Sequence, residues 1–158
     1  MFMGNEFATT SEWNYKTELP WHLLQYHYHS GMQECIKALC HLLKTQPALH
    51  ENQFNQYGFE WIDLQHRDES VICFMCKGKK EKDNLLIVMN MTPVVRHDWM
   101  IRVWGKKKWK ELFNSDATIF GGSGEVKNEE IKTVRTNDAD TMITISIHIP
   151  PLALLILR

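Results

Sequence analysis

The chain reads as mainly β: an antiparallel β-sandwich preceded by a shorter helical segment. Three observations predict this. Isoleucines at 143, 145, 147 and 149 alternate with Thr144, Ser146 and His148, so one face of that segment is buried and the other meets water. Short apolar runs recur between turn-rich stretches at residues 70–76, 85–91, 99–103, 109–113 and 152–157, the spacing of an all-β domain. Met32, Cys35, Ile36, Leu39, Leu42 and Leu43 recur at helical spacing and form one apolar stripe.

The elements follow in order. The opening Met1-Phe2-Met3 is apolar and leads through Gly4-Asn5-Glu6-Phe7 into a polar loop carrying Trp13 and Tyr15. It reads as the end of a buried strand breaking into a functional loop. Pro20 suits the first position of a short helix over residues 21–24. Ser30-Gly31-Met32-Gln33 is a capping box, in which the serine hydroxyl and the glutamine side chain satisfy each other's backbone amides. Pro47 disfavours helix at the residue before it, so the spacing predicts a helix over about residues 31–45.

Near residue 50 the period changes. Residues 59–63 alternate in part, and residues 70–76 are strand-like. Residues 77–84, with one glycine and four lysines, form a solvated turn before the apolar strand at 85–91. Residues 99–103 and 109–113 flank Trp104-Gly105-Lys106-Lys107-Lys108 and read as a hairpin. Residues 121–124 (Gly-Gly-Ser-Gly) are a flexible loop. Pro150-Pro151 breaks the isoleucine strand before the last one. The expected division is residues 1–52 and residues 53–158.

Composition narrows the function classes. A 158-residue chain with 44% apolar and 23% charged residues can bury a sizeable core. Its net charge of −1 gives no case for nucleic acid or an anionic membrane as partner. No apolar run approaches the ~20 residues that span a bilayer, and the first residues lack a signal peptide's basic flank and apolar core. A cytoplasmic location is the expectation. Cys73 and Cys76 form a C-x-x-C, but residues three apart on a strand point to opposite faces, and no second pair follows at zinc-site spacing. Buried free thiols are the expected reading. The histidines are scattered, with no H-x-x-x-H pair on the clear helix, so no metal ligand set and no cofactor is predicted.

Several segments then carry a resemblance. They are Met3-Gly4-Asn5-Glu6-Phe7, Glu12-Trp13-Asn14, Trp21-His22-Leu23-Leu24, His29-Ser30-Gly31-Met32-Gln33, Pro47-Ala48-Leu49-His50, Tyr57-Gly58-Phe59-Glu60-Trp61, Asn90-Met91-Thr92-Pro93-Val94, Arg96-His97, Trp109-Lys110-Glu111-Leu112, Asn114-Ser115-Asp116, residues 121–124 and Pro150-Pro151-Leu152-Ala153. Collinear over nearly the whole chain, they resemble the C-terminal portion of the glycogen (1,4-α-glucan) branching enzymes of the α-amylase superfamily. Two places depart from that pattern: Pro20 stands where an acidic residue is usual, and the charged residues 125–130 replace a glycine-rich continuation.

The resemblance implies that residues 1–52 are the last strand, rim loop and closing helix of a (β/α)8 barrel, and residues 53–158 the all-β domain behind it. Barrel active sites lie on the rim after the strands. The family moves α-1,4 glucan segments to 6-hydroxyls by a retaining mechanism that needs carboxylates roughly 5 Å apart. The resemblance places those carboxylates on barrel strands four, five and seven, outside this sequence, so no catalytic residue is assigned and the chain alone is expected to be inactive. The implied partners are an α-glucan and the remaining barrel.

Aromatic rings stack on the apolar faces of glucose, which makes the six tryptophans candidates for sugar contact. Core packing is the expected role of most, including Trp61 in its strand pattern and Trp21 on its short helix. Trp13 on the rim loop and Trp104 beside the lysines are the substrate-binding candidates, with Glu6 as a rim residue that orders the loop. The alternatives are a stand-alone α-glucan-binding sandwich and a complementing subunit of a split enzyme.

Overall fold

The computed structural model describes residues 2–66, 68–104, 108–134 and 142–158. Among them one long helix, α1 (His27–Thr45), precedes eight strands. These are β1 (Phe59–Asp63), β2 (Val71–Cys76), β3 (Leu85–Asn90), β4 (Arg96–Trp104), β5 (Glu111–Asn114), β6 (Lys132–Val134), β7 (Met142–Ile149) and β8 (Leu154–Leu157). Five form one sheet in the order β1-β2-β3-β8-β5, and three form a second in the order β4-β7-β6. Every paired strand is antiparallel.

The alternation in β7 decides the layering. Ile143, Ile145, Ile147 and Ile149 are buried and face the larger sheet, where Cys73, Met75, Leu86, Val88, Leu155 and Leu157 meet them. The other face of the larger sheet is also apolar. Leu85, Ile87, Phe113 and Ile156 pack there under Leu42, with Cys35, Ala38 and Leu39 of the same helix beside them. Of the helical stripe predicted from the sequence, Cys35, Leu39 and Leu42 find their cover on the sheet, whereas Met32 and Leu43 stay exposed. The result is three layers: helix, large sheet, small sheet. The C-x-x-C residues behave as the strand period requires. Cys73 faces the sandwich interior and Cys76 the helix side, both as free thiols. Burial pushes the Cys73 thiol up to about 12, with the nearby Asp63 charge adding to the rise.

Four expectations are corrected. First, α1 begins one turn early. Ser30 does not cap it: its hydroxyl donates back to the carbonyls of Tyr26 and His27 inside the first turn, at 3.2 and 3.1 Å. His29 Nδ1 lies 2.9 Å from the Phe7 carbonyl oxygen, a tertiary contact that favours this extra turn. Second, Asn5–Phe7 form a 3-10 turn rather than a strand end. A strand needs a hydrogen-bonded neighbour, and no other described segment pairs with this one. Third, β4 and β5 are not a hairpin. β4 pairs with β7 in the small sheet, whereas β5 pairs with β8 in the large one. The connection crosses between layers, and Gly105, Lys106 and Lys107 lie outside the described residues. Fourth, the 121–124 loop is pinned. Ser123 donates from its amide and its hydroxyl to the Asp116 carboxylate at 2.8 and 2.6 Å, and the Gly124 amide donates to the Asp116 carbonyl at 2.8 Å.

Three buried asparagines fasten the connections. Asn90 at the end of β3 donates to the carbonyls of Val94 and Pro150 at 2.8 and 2.9 Å. Its oxygen accepts from the Thr92 amide and hydroxyl at 3.0 and 2.8 Å. Asn114 ends β5 in the same way, donating to the Val126 carbonyl at 3.0 Å and accepting from the Asp116 amide at 2.9 Å. Asn128 acts as a one-residue strand: its side-chain amide donates to the His148 carbonyl at 2.9 Å and accepts from the His148 amide at 2.8 Å.

Gly31 sets the distance between α1 and the turn after β5. A Cβ there would lie 2.7 Å from the backbone carbon of Phe120. Gly31→Ala gains helix propensity of about 1 kcal/mol, but overpacking against backbone costs about 1–3 kcal/mol. The expected result is a net loss of roughly 0–2 kcal/mol in urea unfolding. A stabilised variant would show that the contact yields freely.

Candidate functional site

Glu6 sits in the 3-10 turn Asn5–Phe7, half-buried, while its neighbour Phe7 is fully buried. Phe7 packs on Trp21 with ring centroids 5.4 Å apart, and its carbonyl meets His29 at the start of α1. The polar loop is thus anchored to the helix by one aromatic. Trp13 lies on the exposed part of that loop. Its ring meets Phe2 edge-on at 5.3 Å and Tyr15 at 6.4 Å, and it remains 55% exposed. The cavity beside it holds about 30 Å³, the size of one water. A sugar ring does not fit inside, so the outer face of Trp13 is the surface it offers.

Trp104, at the end of β4, belongs to a different place. It is 46% exposed and lines a cleft of about 600 Å³ with Tyr57, Glu60, Met75 and Lys77. Neither Glu6 nor Trp13 lines that cleft. The structure therefore separates the three predicted residues into a loop pair near α1 and one tryptophan at the end of β4.

Backbone geometry builds the cleft wall. Asn55 caps a short turn by accepting from the Tyr57 amide at 3.0 Å. Gly58 approaches Asn52 so closely that a Cβ would lie 2.2 Å from its carbonyl oxygen. Asn52 in turn donates from its side chain to the Lys77 carbonyl at 3.0 Å. Glu60 lies opposite Met75 in the β1–β2 register, on the face away from Phe59 and Trp61, and pairs with the Lys77 ammonium.

Phe59 and Trp61 occupy the outer face of edge strand β1 with Phe74 of β2. Phe59 meets Trp61 at 4.9 Å and Phe74 at 5.2 Å. Trp61 is 50% exposed, which corrects its expected place in the core. The helix covers the middle of the sheet and leaves this edge half bare. Trp21 is also half exposed, whereas Trp109 is buried as expected. Sequence reasoning did not single out Tyr57, Glu60 or Lys77. Their spacing carries no signal, because they meet only through strand pairing and the tight 52–58 turn. Among the described residues no His, Cys, Asp and Glu group is arranged to hold a metal, and no helix is long and apolar enough to cross a membrane.

Two stacked antiparallel sheets with a helix on the outer face of one match a known architecture. Residues 61–158 match the family described as alpha amylase, C-terminal all-beta domain, and the chain belongs to it. Over its whole length the chain is similar to 1,4-alpha-glucan branching enzymes called GlgB. It is 37% identical to that of Aquifex aeolicus over 164 residues, covering 100% of this chain and 25% of the relative. It is 41% identical to that of Halothermothrix orenii over 153 residues, covering 97% and 24%. This chain spans about a quarter of the length of these relatives. A crystal structure of alpha-amylase from H. orenii superposes on 80% of this chain and 20% of its own, with a TM-score of 0.45 and 20% identity. The resemblance read from the collinear segments is thereby borne out, as is the mainly β fold.

Proposed function

We propose that this chain serves as the C-terminal, non-catalytic part of a 1,4-α-glucan branching enzyme. Residues 1–52 supply the edge of a barrel, and residues 53–158 the sandwich that supports it. The observation that carries this reading is the full-length similarity to a quarter of each branching enzyme. The surface agrees with it. Phe2, Trp13, Tyr15, Tyr26 and Tyr28 are exposed around the start of α1, where a barrel would lie against them. Such a chain contributes stability and glucan contact, and its own carboxylates do no sugar transfer. Retaining transfer needs a nucleophile and a proton donor held together across the scissile bond.

A chimera tests this. This chain replaces the matching segment of the Aquifex aeolicus enzyme, and branch points formed in amylose are counted. The chimera is expected to keep activity to within about tenfold, and the free chain to form no branches. Branching by the free chain, or a folded but inactive chimera, would overturn the reading. Glycogen binding by the free chain together with an inactive chimera would favour a stand-alone binding module.

A further inference from the structure

We infer that the cleft beside the end of β4, lined by Trp104, Tyr57 and the Glu60–Lys77 pair, binds a short α-1,4-linked glucan. The choice of glucan rests on the function proposed above; the site rests on the structure.

Its volume of about 600 Å³ lies within the roughly 300–1,000 Å³ of small-ligand sites. Two aromatic side chains line it, Tyr57 at 72% and Trp104 at 46% exposed. An exposed tyrosine on an ordinary loop would mean little. This one stands on a turn fixed by the Asn55 cap and by the Gly58 contact with Asn52, which leaves no room for a side chain. A surface held this firmly loses little freedom when a ligand stacks on it.

The polar groups suit a neutral polyol. The Glu60 carboxylate accepts hydrogen bonds and the adjoining Lys77 ammonium donates them. Two neighbouring sugar hydroxyls, one donating and one accepting, match such a pair. Both side chains are about a third exposed, while the Glu60 oxygen that pairs with Lys77 is itself buried, so a ligand meets the exposed remainder of the two groups and leaves the ion pair intact. Among the described lining residues Lys77 and Lys79 balance Glu60 and Glu81, which gives a phosphate no net attraction. The Met75 side chain closes the inner wall with an apolar surface for sugar C–H groups.

Calorimetric titration of the free chain with maltoheptaose tests the site, with cellopentaose as the β-linked comparison. Trp104→Ala is expected to weaken maltoheptaose binding by about tenfold or more, the loss of one stacked ring. Tyr57→Ala is expected to weaken it about three- to tenfold. Met100→Ala, exposed on the same strand but outside the cleft, is expected to leave it within twofold. Near-UV circular dichroism checks that each variant keeps the native fold. Should Trp104→Ala disturb it, Trp104→Phe and Tyr57→Ala carry the test. Absence of binding by the unaltered chain, unchanged binding in the Trp104 and Tyr57 variants, or equal binding of cellopentaose would overturn the inference. None of these results alters the chimera outcome, so the two proposals fail separately.

Discussion

Asn90→Asp is expected to destabilise the fold by about 3–5 kcal/mol at pH 7, the cost of leaving a buried charge uncompensated. The change is nearly isosteric, so packing is conserved and only charge and hydrogen bonding are altered. Asn90 is 1% exposed, and its amide nitrogen serves the carbonyls of Val94 and Pro150. An ionised aspartate would turn an acceptor toward both of them. Only its other oxygen would keep donors, the amide and hydroxyl of Thr92. The neutral acid restores a single donor, so the folded state prefers it and holds the aspartate above its ordinary range. The sign of the pH dependence follows. Above the folded-state value the unfolded chain is free to ionise and the penalty is complete. As pH falls through that value toward about 4, the usual carboxylate range, the folded form takes up a proton and the deficit shrinks. Urea unfolding of both proteins between pH 4 and 8 measures it. A deficit below 1 kcal/mol that ignores pH would show that solvent reaches the site.

Leu155→Ala removes a side chain from the centre of the sandwich, with an expected loss of about 2–5 kcal/mol. Leu155 is fully buried and stands opposite Val88 on one side and Asn114 on the other. Its walls belong to both sheets, so the space cannot close by moving one strand. In a domain of this size the melting temperature should fall by roughly 4–20 °C, at 2–4 °C per kcal/mol. Leu64→Ala, at 63% exposed, should stay within about 0.5 kcal/mol of the unaltered protein. Equal effects at the two positions would contradict the layered core.

The legible parts of this fold are those whose signal is local. Ile143 to Ile149 announce their buried face by alternation alone, and the observed burial follows it residue by residue. The Met32–Leu43 stripe likewise foretold the helix, although only Cys35, Leu39 and Leu42 of it are covered while Met32 and Leu43 stay exposed, and Pro47 foretold its end. What stayed hidden depends on distant chain. The Ser30 capping box is a real local preference, but His29 meets Phe7 only once the loop folds back, and the helix starts earlier. The β4–β5 connection looks like a hairpin because a turn between two apolar runs reads the same whether it stays in one sheet or crosses to another. Trp61 looks like core because its alternation is genuine, and only its place on an edge strand leaves it half open. At the cleft, Trp104 stood out beside its lysines. Tyr57, Glu60 and Lys77 could not, since β1–β2 pairing brings them together.

The position of β8 between β3 and β5 bears on how the protein is made. Strands β1, β2 and β3 follow one another and can pair as they leave the ribosome. The seat beside β3 stays empty until residues 154–157 emerge, after β4, β5, β6 and β7 have all been made. Through that interval the nascent chain carries an open, Leu- and Val-rich strand edge, of the kind that invites pairing with other chains. Long-range closure of this type is slow, so the edge of β3 stays exposed to misassembly through the whole interval that separates it from β8 in the sequence.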